Sequence, residues 1–441
     1  MIEEEGLSMK IGHVIRAERV RQDMKQIVLA KGICTPSYLS KIERNLIAPS
    51  EDVAELLLLR LGMDPESFNS PAAQGNEERF YKTMMDSYRN VIVKRDKAYT
   101  EQQLHILIEE NALSYDDSVY YTYLLIIFRF RLIVGGDLEE RRKELDALEE
   151  LADYFDEFQV YLFNVNKGLF FYVSNFSVKS IESFETAYLL LEDLGVDEWE
   201  IAEFHYMLGV AYAADDRTLH SIEHVRKALS YFSGQFQMKR VMDCYIIMGV
   251  NQKQSTNYEA ALESYLKAKQ ICEEFRLSQN MGIILHNIGS LYSFMGENQK
   301  AIKFFNESLN DKYESKKEQL LTMLCIAMVH SKVKDHERVL EWCDKGIQLY
   351  KNLKDESLAS YFHELTFLQS LNSEQGLDEK IAKTAIAYFK EKQNYQLVSK
   401  YCIAFGKWYF SMNKYKLSAL LYEEAHNYGN IYKNITEWED M

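Results

Sequence analysis

Residues 26–45 read QIVLAKGICTPSYLSKIERN and concentrate side chains suited to a nucleic acid. Thr35 offers an oxygen as an N-cap, and Pro36, with its fixed φ and no N–H, suits a first helical turn, so a helix is expected to begin there. Ile27, Leu29 and Ala30 mark a short helix before it, and Ile33, Leu39 and Ile42 are placed on the second. Two short helices joined by GIC make a helix-turn-helix, whose second helix lies in the DNA major groove. Thr35, Ser37, Tyr38 and Ser40 are then placed to reach base edges or phosphates. Lys41 and Arg44, with Arg16 or Arg19, are placed to hold phosphate, and Gln26 opens the first helix where an amide can touch phosphate or base. Glu43 is expected to be a structural ion-pair partner.

A second anomaly is Arg129, with Arg131, inside the apolar run YLLIIFRFRLIV. A buried or groove-facing guanidinium calls for an anion, and a peptide carboxylate would satisfy it bidentately. Other chemistry is excluded by pattern. The chain has no G-x-x-x-x-G-K-[ST], G-x-S-x-G or H-E-x-x-H, and its six cysteines form no C-x-x-C pair. His220 and His224 share a helical spacing but lack the further ligands a metal needs. No enzyme activity, metal or cofactor is expected.

Net charge and composition say where DNA could bind. The chain is −16 overall, yet residues 10–44 hold eight Lys/Arg against three Asp/Glu, a local +5, while residues 45–441 hold 43 against 61, a local −18. Only the beginning suits phosphate. No apolar run reaches the roughly 18 residues of a membrane helix, and the acidic start MIEEEGLSMK carries no signal pattern, so a cytoplasmic protein without membrane contact is expected.

All four prolines fall in the first 71 residues, which leaves a long proline-free remainder suited to helical hairpins. NSPAAQGN at 69–76 is the linker-like composition, so the division expected is 8–68, a linker at 69–77, and 78–435. The remainder repeats. Gly209, Gly249 and Gly289 lie 40 residues apart, Gly168 lies 41 before the first, and twelve residues beyond each glycine comes a second pattern such as Ser180/Phe184/Ala187 or Ala261/Tyr265/Ala268. Weaker copies follow at Ala327 and near 357–390, and a clear last one at Gly406, Tyr409, Ser418, Tyr422 and Ala425. The small residue lets two helices approach, and the aromatic of the second helix fills the gap. The L-G-x-x-Y and A-x-x-x-F-x-x-A pattern resembles the tetratricopeptide repeat. Segments 78–111 and 118–152 are helical by pattern but match it poorly. The fold class expected is all-α: a helix-turn-helix domain followed by a tetratricopeptide-like, right-handed helical superhelix with a concave binding face.

The run LAKGIC-x-x-S-x-L-S-K-I-E, then APS and EDVAELLLLRLGM, resembles the Xre-type domain of Gram-positive peptide-pheromone receptors, and its short GIC connection that of the PlcR and NprR type. That resemblance implies a homodimeric transcription regulator that binds double-stranded DNA and a short signalling peptide held in the concave groove. It also implies, as the alternative, a repeat scaffold sequestering a response regulator. In such receptors, asparagines two positions before the repeat glycine hold the peptide backbone. Asn166 and Asn287 occupy that position here, whereas Met207 and Ile247 depart from it. Lys253, with Asn251 and Gln254, adds polar groups one turn along, and Tyr206 and His286 complete the expected peptide-binding set with Arg129.

Overall fold

The computed structural model describes residues 11–65, 77–110, 117–191, 193–311 and 315–433, and every regular element among them is a helix. Of the linker expected at 69–77, residues 69–76 lie outside the described residues and Glu77 already opens a helix. The chain forms two compact units, residues 1–235 and 236–441.

The first unit opens with α1 (Gly12–Arg21), α2 (Gln26–Ala30), α3 (Pro36–Glu43) and α4 (Glu51–Arg60). Val14, Ile15, Leu29, Leu39, Ile42 and Leu57 are fully enclosed between them. Gly12 lets α1 cross α3, because a Cβ there would lie 2.0 Å from the Ile42 carbonyl oxygen. One sequence expectation is corrected: Ile33 lies in the turn before α3 and not on it, because α3 starts only behind the Thr35 cap; on the five-residue α2, Leu29 and Ala30 face the core and Ile27 is 65% exposed.

This head does not stand apart from the repeats. α1 packs on α7 (Asp117–Val134) and α8 (Leu138–Leu151). Arg16 Nη1 donates to Tyr121 Oη at 3.0 Å, its guanidinium lies 3.5 Å over the Tyr154 ring, and the His13 ring stands edge-on to Tyr120 at 5.4 Å. Arg16 is therefore no phosphate contact as placed, being 5% exposed with its guanidinium turned toward the repeats. The segments that match the repeat pattern poorly form α5 (Glu77–Lys94), α6 (Lys97–Glu110), α7 and α8.

Repeat hairpins follow: α9 (Glu157–Val173) with α10 (Ser177–Leu191), then α11 (Glu198–Ala214) with α12 (Thr218–Gly234). A capping box between Asp156 and Gln159 starts α9. The repeat glycines act as contact points: a Cβ on Gly168 would strike the Phe184 ring at 2.8 Å, and one on Gly209 the Val225 side chain at 2.7 Å. Ser180 and Ser221 donate to the Gly168 and Gly209 carbonyls at 2.8 and 2.6 Å, pinning each second helix to its first.

His224 turns to His205 across the α11–α12 hairpin rather than to His220, with the two Nδ1 atoms 2.9 Å apart. One ring must donate and the other accept, so at least the accepting ring is neutral and the two cannot both be protonated. Burial, and for His205 also the neighbouring ring, pushes both pKa values down to about 4. Between the ordinary His value near 6.5 and about 4, the unfolded chain takes up protons the folded pair refuses, so this pair's stabilisation is lost as pH falls through that window. A His205→Gln/His224→Gln variant is expected to show a flatter loss of urea midpoint from pH 6.5 to 4 than the parent; parallel curves would remove the pair from the acid response.

In the second unit the hairpins are α13 (Met238–Gln254) with α14 (Tyr258–Glu274), α15 (Met281–Phe294) with α16 (Asn298–Asn310), α17 (Lys316–Lys332) with α18 (His336–Leu353), α19 (Ala359–Leu371) with α20 (Glu379–Glu391), and α21 (Tyr395–Ser411) with α22 (Tyr415–Lys433). Gly249 meets Tyr265, Gly289 meets Phe305 and Gly406 meets Tyr422, each aromatic sixteen residues beyond its glycine. The degenerate copy near 357–390 is α19 with α20.

Tyr265 is fully buried and its hydroxyl has no hydrogen-bond partner among the described residues, while the same repeat position holds Phe184 and Phe305 elsewhere. An unsatisfied buried hydroxyl costs about 1–3 kcal/mol, so Tyr265→Phe is expected to stabilise the second unit by an amount in that range, read as a raised urea midpoint. A lowered midpoint would show that the hydroxyl is satisfied.

Candidate DNA interface and candidate ligand face

The head presents one polar edge. Thr35 caps α3 by accepting from the Tyr38 amide at 3.2 Å, and Thr35, Ser37, Lys41 and Arg44 are exposed along it. Tyr38 and Ser40 are half-buried, and Arg44 donates to the Ser40 hydroxyl and carbonyl at 3.2 and 3.1 Å.

Beneath that edge, Glu43 is 2% exposed and gathers three elements. Arg19 Nε and Nη2 donate to its two oxygens at 2.6 and 3.0 Å, Gln26 Nε2 donates to it at 2.6 Å, and Arg19 Nη1 donates to the Met24 carbonyl at 2.8 Å. Arg19 is thus committed to holding α1 against α3 and is corrected from phosphate contact to structural partner. Gln26, half-buried, spends its amide nitrogen in the same cluster.

Arg129 and Asn166 meet inside the first unit, yet not on an open face, and Tyr206 faces Arg95 instead. Arg129 is 5% exposed; Nη1 donates to Asn166 Oδ1 at 3.5 Å, Nη2 lies 3.0 Å from the Met207 sulfur, and Nε is buried without an acceptor among the described residues. Asn166 is 1% exposed and its amide donates to the Leu125 carbonyl at 2.8 Å, because α7 packs over α9. Arg95 lies 4.8 Å over the half-buried Tyr206 ring and pairs with Glu203 at 3.2 Å. Arg131 pairs instead with Glu144.

Sequence reasoning missed Glu200 and Glu203, both buried on α11 beside this arginine. Tyr88 Oη donates to Glu200 at 3.1 Å, and burial pushes the Glu200 carboxyl up to about 7. Their signal was present: two acids three apart in the otherwise apolar run that leads to Gly209. Burial also pulls the Arg129 pKa down. The cluster is a desolvated polar core with an arginine short of acceptors.

Lys253, His286 and Asn287 fall in the second unit, half-buried on the first helices α13 and α15. Asn287 Nδ2 donates to the Ile283 carbonyl at 3.0 Å, and its oxygen accepts no hydrogen bond from the described residues. His286 Nδ1 lies 2.8 Å from Thr322 Oγ1, whose own proton goes to the Glu318 carbonyl at 2.9 Å, so His286 carries its proton on Nδ1. Burial and Lys253 lower the His286 pKa to about 4. Lys253 Nζ donates to Ser290 Oγ at 3.0 Å. Asn251 is buried and donates to the Ile247 carbonyl at 3.0 Å, and Gln254 is exposed. This face can offer a carbonyl acceptor, a neutral imidazole and an ammonium to a bound chain. No group of three or more His, Cys, Asp or Glu among the described residues could hold a metal, and none of the described helices is long and apolar enough to cross a membrane.

Residues 15–68 match the helix-turn-helix family and residues 248–312 the tetratricopeptide repeat family. The chain is 27% identical over 413 residues to the transcriptional activator NprA of Geobacillus stearothermophilus, covering 91% of this chain and 98% of that one. It is 22% identical to response regulator aspartate phosphatase I of Bacillus subtilis, covering 74% of this chain and 85% of that one. Solved structures of the quorum sensor NprR, one the apo form from B. thuringiensis and one in complex with its cognate peptide NprX, share the fold, each with a TM-score of 0.60 at 22% identity over 79% of this chain and 98% of theirs.

Proposed function

We propose, from the premise that this chain joins an Xre-type helix-turn-helix to tetratricopeptide repeats as in the PlcR/NprR type, that it is a DNA-binding transcription regulator controlled by a short signalling peptide. The observation that carries this is the exposed edge of Thr35, Ser37, Lys41 and Arg44, held in place by Glu43, in the same chain as the polar first-helix face around Asn287. Lys41 and Arg44 hold phosphate, Thr35, Ser37, Tyr38 and Ser40 lie along bases and sugars, and Gln26 is a contact once its amide leaves Glu43. Two heads of a homodimer on paired half-sites give the affinity that a small domain lacks by itself.

The peptide is held by Lys253, His286 and Asn287. Arg129, Asn166 and Tyr206 join through rearrangement of their core, where Arg129 gains the acceptor its Nε lacks. The test is calorimetric titration of the full chain with short peptides encoded beside its gene, repeated with Asn287→Ala. Saturable binding lost in the variant supports the reading, and no binding by any neighbouring peptide overturns it. On DNA, Lys41→Ala is expected to weaken binding to all sequences alike and lower the salt slope by about 1. An unchanged slope would remove Lys41 from the phosphate contacts.

The second reading is a scaffold that sequesters a response regulator, favoured by similarity to a response regulator aspartate phosphatase over 74% of this chain. Strong binding of a response regulator together with no operator binding would support it over the first.

A further inference from the structure

We infer that the first-helix face of the second unit holds a carboxylate-binding clamp, formed by Lys253 and Lys332 across Ser290 and Ser293, which reads an acidic group of the bound peptide. The inference rests on the peptide reading above and adds the ligand's chemistry.

The clamp is a rung shared by three consecutive first helices. Lys253 follows Gly249 by four residues on α13, Ser293 follows Gly289 by four on α15, and Lys332 follows Ala327 by five on α17. Both lysines reach inward to α15: Lys253 Nζ donates to Ser290 Oγ at 3.0 Å, and Lys332 Nζ donates to Ser293 Oγ at 2.9 Å and to its carbonyl at 3.2 Å. Ser290 and Ser293 lie one helical turn apart, so they face the same way. Each hydroxyl accepts from a lysine and keeps its own proton to donate.

Charge bookkeeping leaves this place short of an anion. Neither lysine pairs with a carboxylate among the described residues. The Cys325 thiol on α17 lies within the electrostatic reach of Lys253, Lys332 and Lys400 as well as of the Glu364 carboxylate. Glu364 is already engaged, accepting from Lys400 Nζ at 3.0 Å and Tyr401 Oη at 2.8 Å. Two lysines without a carboxylate partner among the described residues, both donating to one helix in a chain of −16, leave room for an anionic visitor. Burial lowers the Lys253 pKa, so its charge is held at a cost that an incoming anion would relieve.

The ligand class follows from the donors. Two ammonium groups and two hydroxyls suit the paired oxygens of one carboxylate. Phe294, 63% exposed with the Lys253 ammonium 4.9 Å from its ring, supplies apolar surface beside them for the stem of an acidic residue or a neighbouring side chain. The carboxylate can come from an Asp or Glu side chain or from a free C-terminus.

Three pools of synthetic heptapeptides separate these cases. One carries a single Asp or Glu with an amidated C-terminus, one carries no acid but a free C-terminus, and one is neutral and amidated. Each is incubated with the full chain, and retained peptides are counted by mass spectrometry for the parent, Lys253→Met/Lys332→Met, and Lys253→Arg/Lys332→Arg. At least one acidic pool is expected to exceed the neutral pool by about tenfold on the parent, to fall to parity on the methionine variant, and to recover on the arginine variant. The enriched pool names the source of the carboxylate.

Equal retention of the neutral pool, or an acidic preference that survives in the methionine variant, would overturn the clamp while leaving peptide binding intact. Retention of no pool by the parent would overturn the peptide reading and the clamp with it. Unchanged melting of the variants excludes misfolding as the cause of a loss.

Discussion

Glu43→Ala is expected to lose DNA binding by loosening the head, although Glu43 contacts no base in this reading. The carboxylate is 2% exposed, accepts from both Arg19 and Gln26, and so ties α1 and α2 to the end of α3. Removing it leaves the Arg19 guanidinium, 13% exposed, with only the Met24 carbonyl as partner. Deleting one partner of a buried ion pair costs about 3–5 kcal/mol, which is large against the few kcal/mol that a head of this size can gain from its own core. The expected result is loss of amide hydrogen-exchange protection across α1 to α3 with protection in the second unit unchanged, and loss of DNA binding at every salt concentration. Retained protection in α3 would refute the structural role and point to direct DNA contact. Lys41→Ala is the comparison, since it is expected to weaken binding with protection intact.

Phe305→Ala should have a comparable effect in the second unit. The ring is 1% exposed, sits against Gly289 where a Cβ would approach within 2.8 Å, and lies 5.2 Å from the His286 ring. Deleting a buried phenylalanine costs about 3–5 kcal/mol through lost burial and the cavity left behind. Urea unfolding of the second unit is expected to shift to lower concentration by that amount. Peptide affinity should fall with it, because His286 loses the ring that backs it. An undiminished midpoint would mean that the α15–α16 contact closes without this ring. Set beside Tyr265→Phe, which removes only a hydroxyl at the equivalent position, the pair separates the ring's packing from its polar atom.

Much of this was legible beforehand for one reason: repeat architecture writes short-range contacts into sequence. Gly249 and Tyr265, or Gly289 and Phe305, lie sixteen residues apart within a single hairpin, so a regular spacing reported a real contact. The Thr35 cap, with Pro36 in the first turn of α3, was equally local. Glu43 could be assigned to an ion pair, but its partner was not local: Arg19, read as a phosphate contact, lies 24 residues away and came to it only when α1 crossed α3.

Residues in equivalent registers parted where the tertiary structure covered one and not the other. Asn166 and Asn287 both precede a repeat glycine by two positions, yet Asn166 is sealed under α7 with its amide on Leu125, while Asn287 keeps an oxygen available. Arg16 met Tyr121 across 105 residues, and His224 chose His205 over the helical neighbour His220.

The sequence by itself determined the helices, the hairpin contacts and the basic head, because periodicity, caps and charge act over one or two turns or one hairpin. Only the tertiary structure decided which polar groups stay open to a ligand. That choice depends on which neighbour packs over each helix, and a buried amide or guanidinium takes whatever acceptor the packing brings.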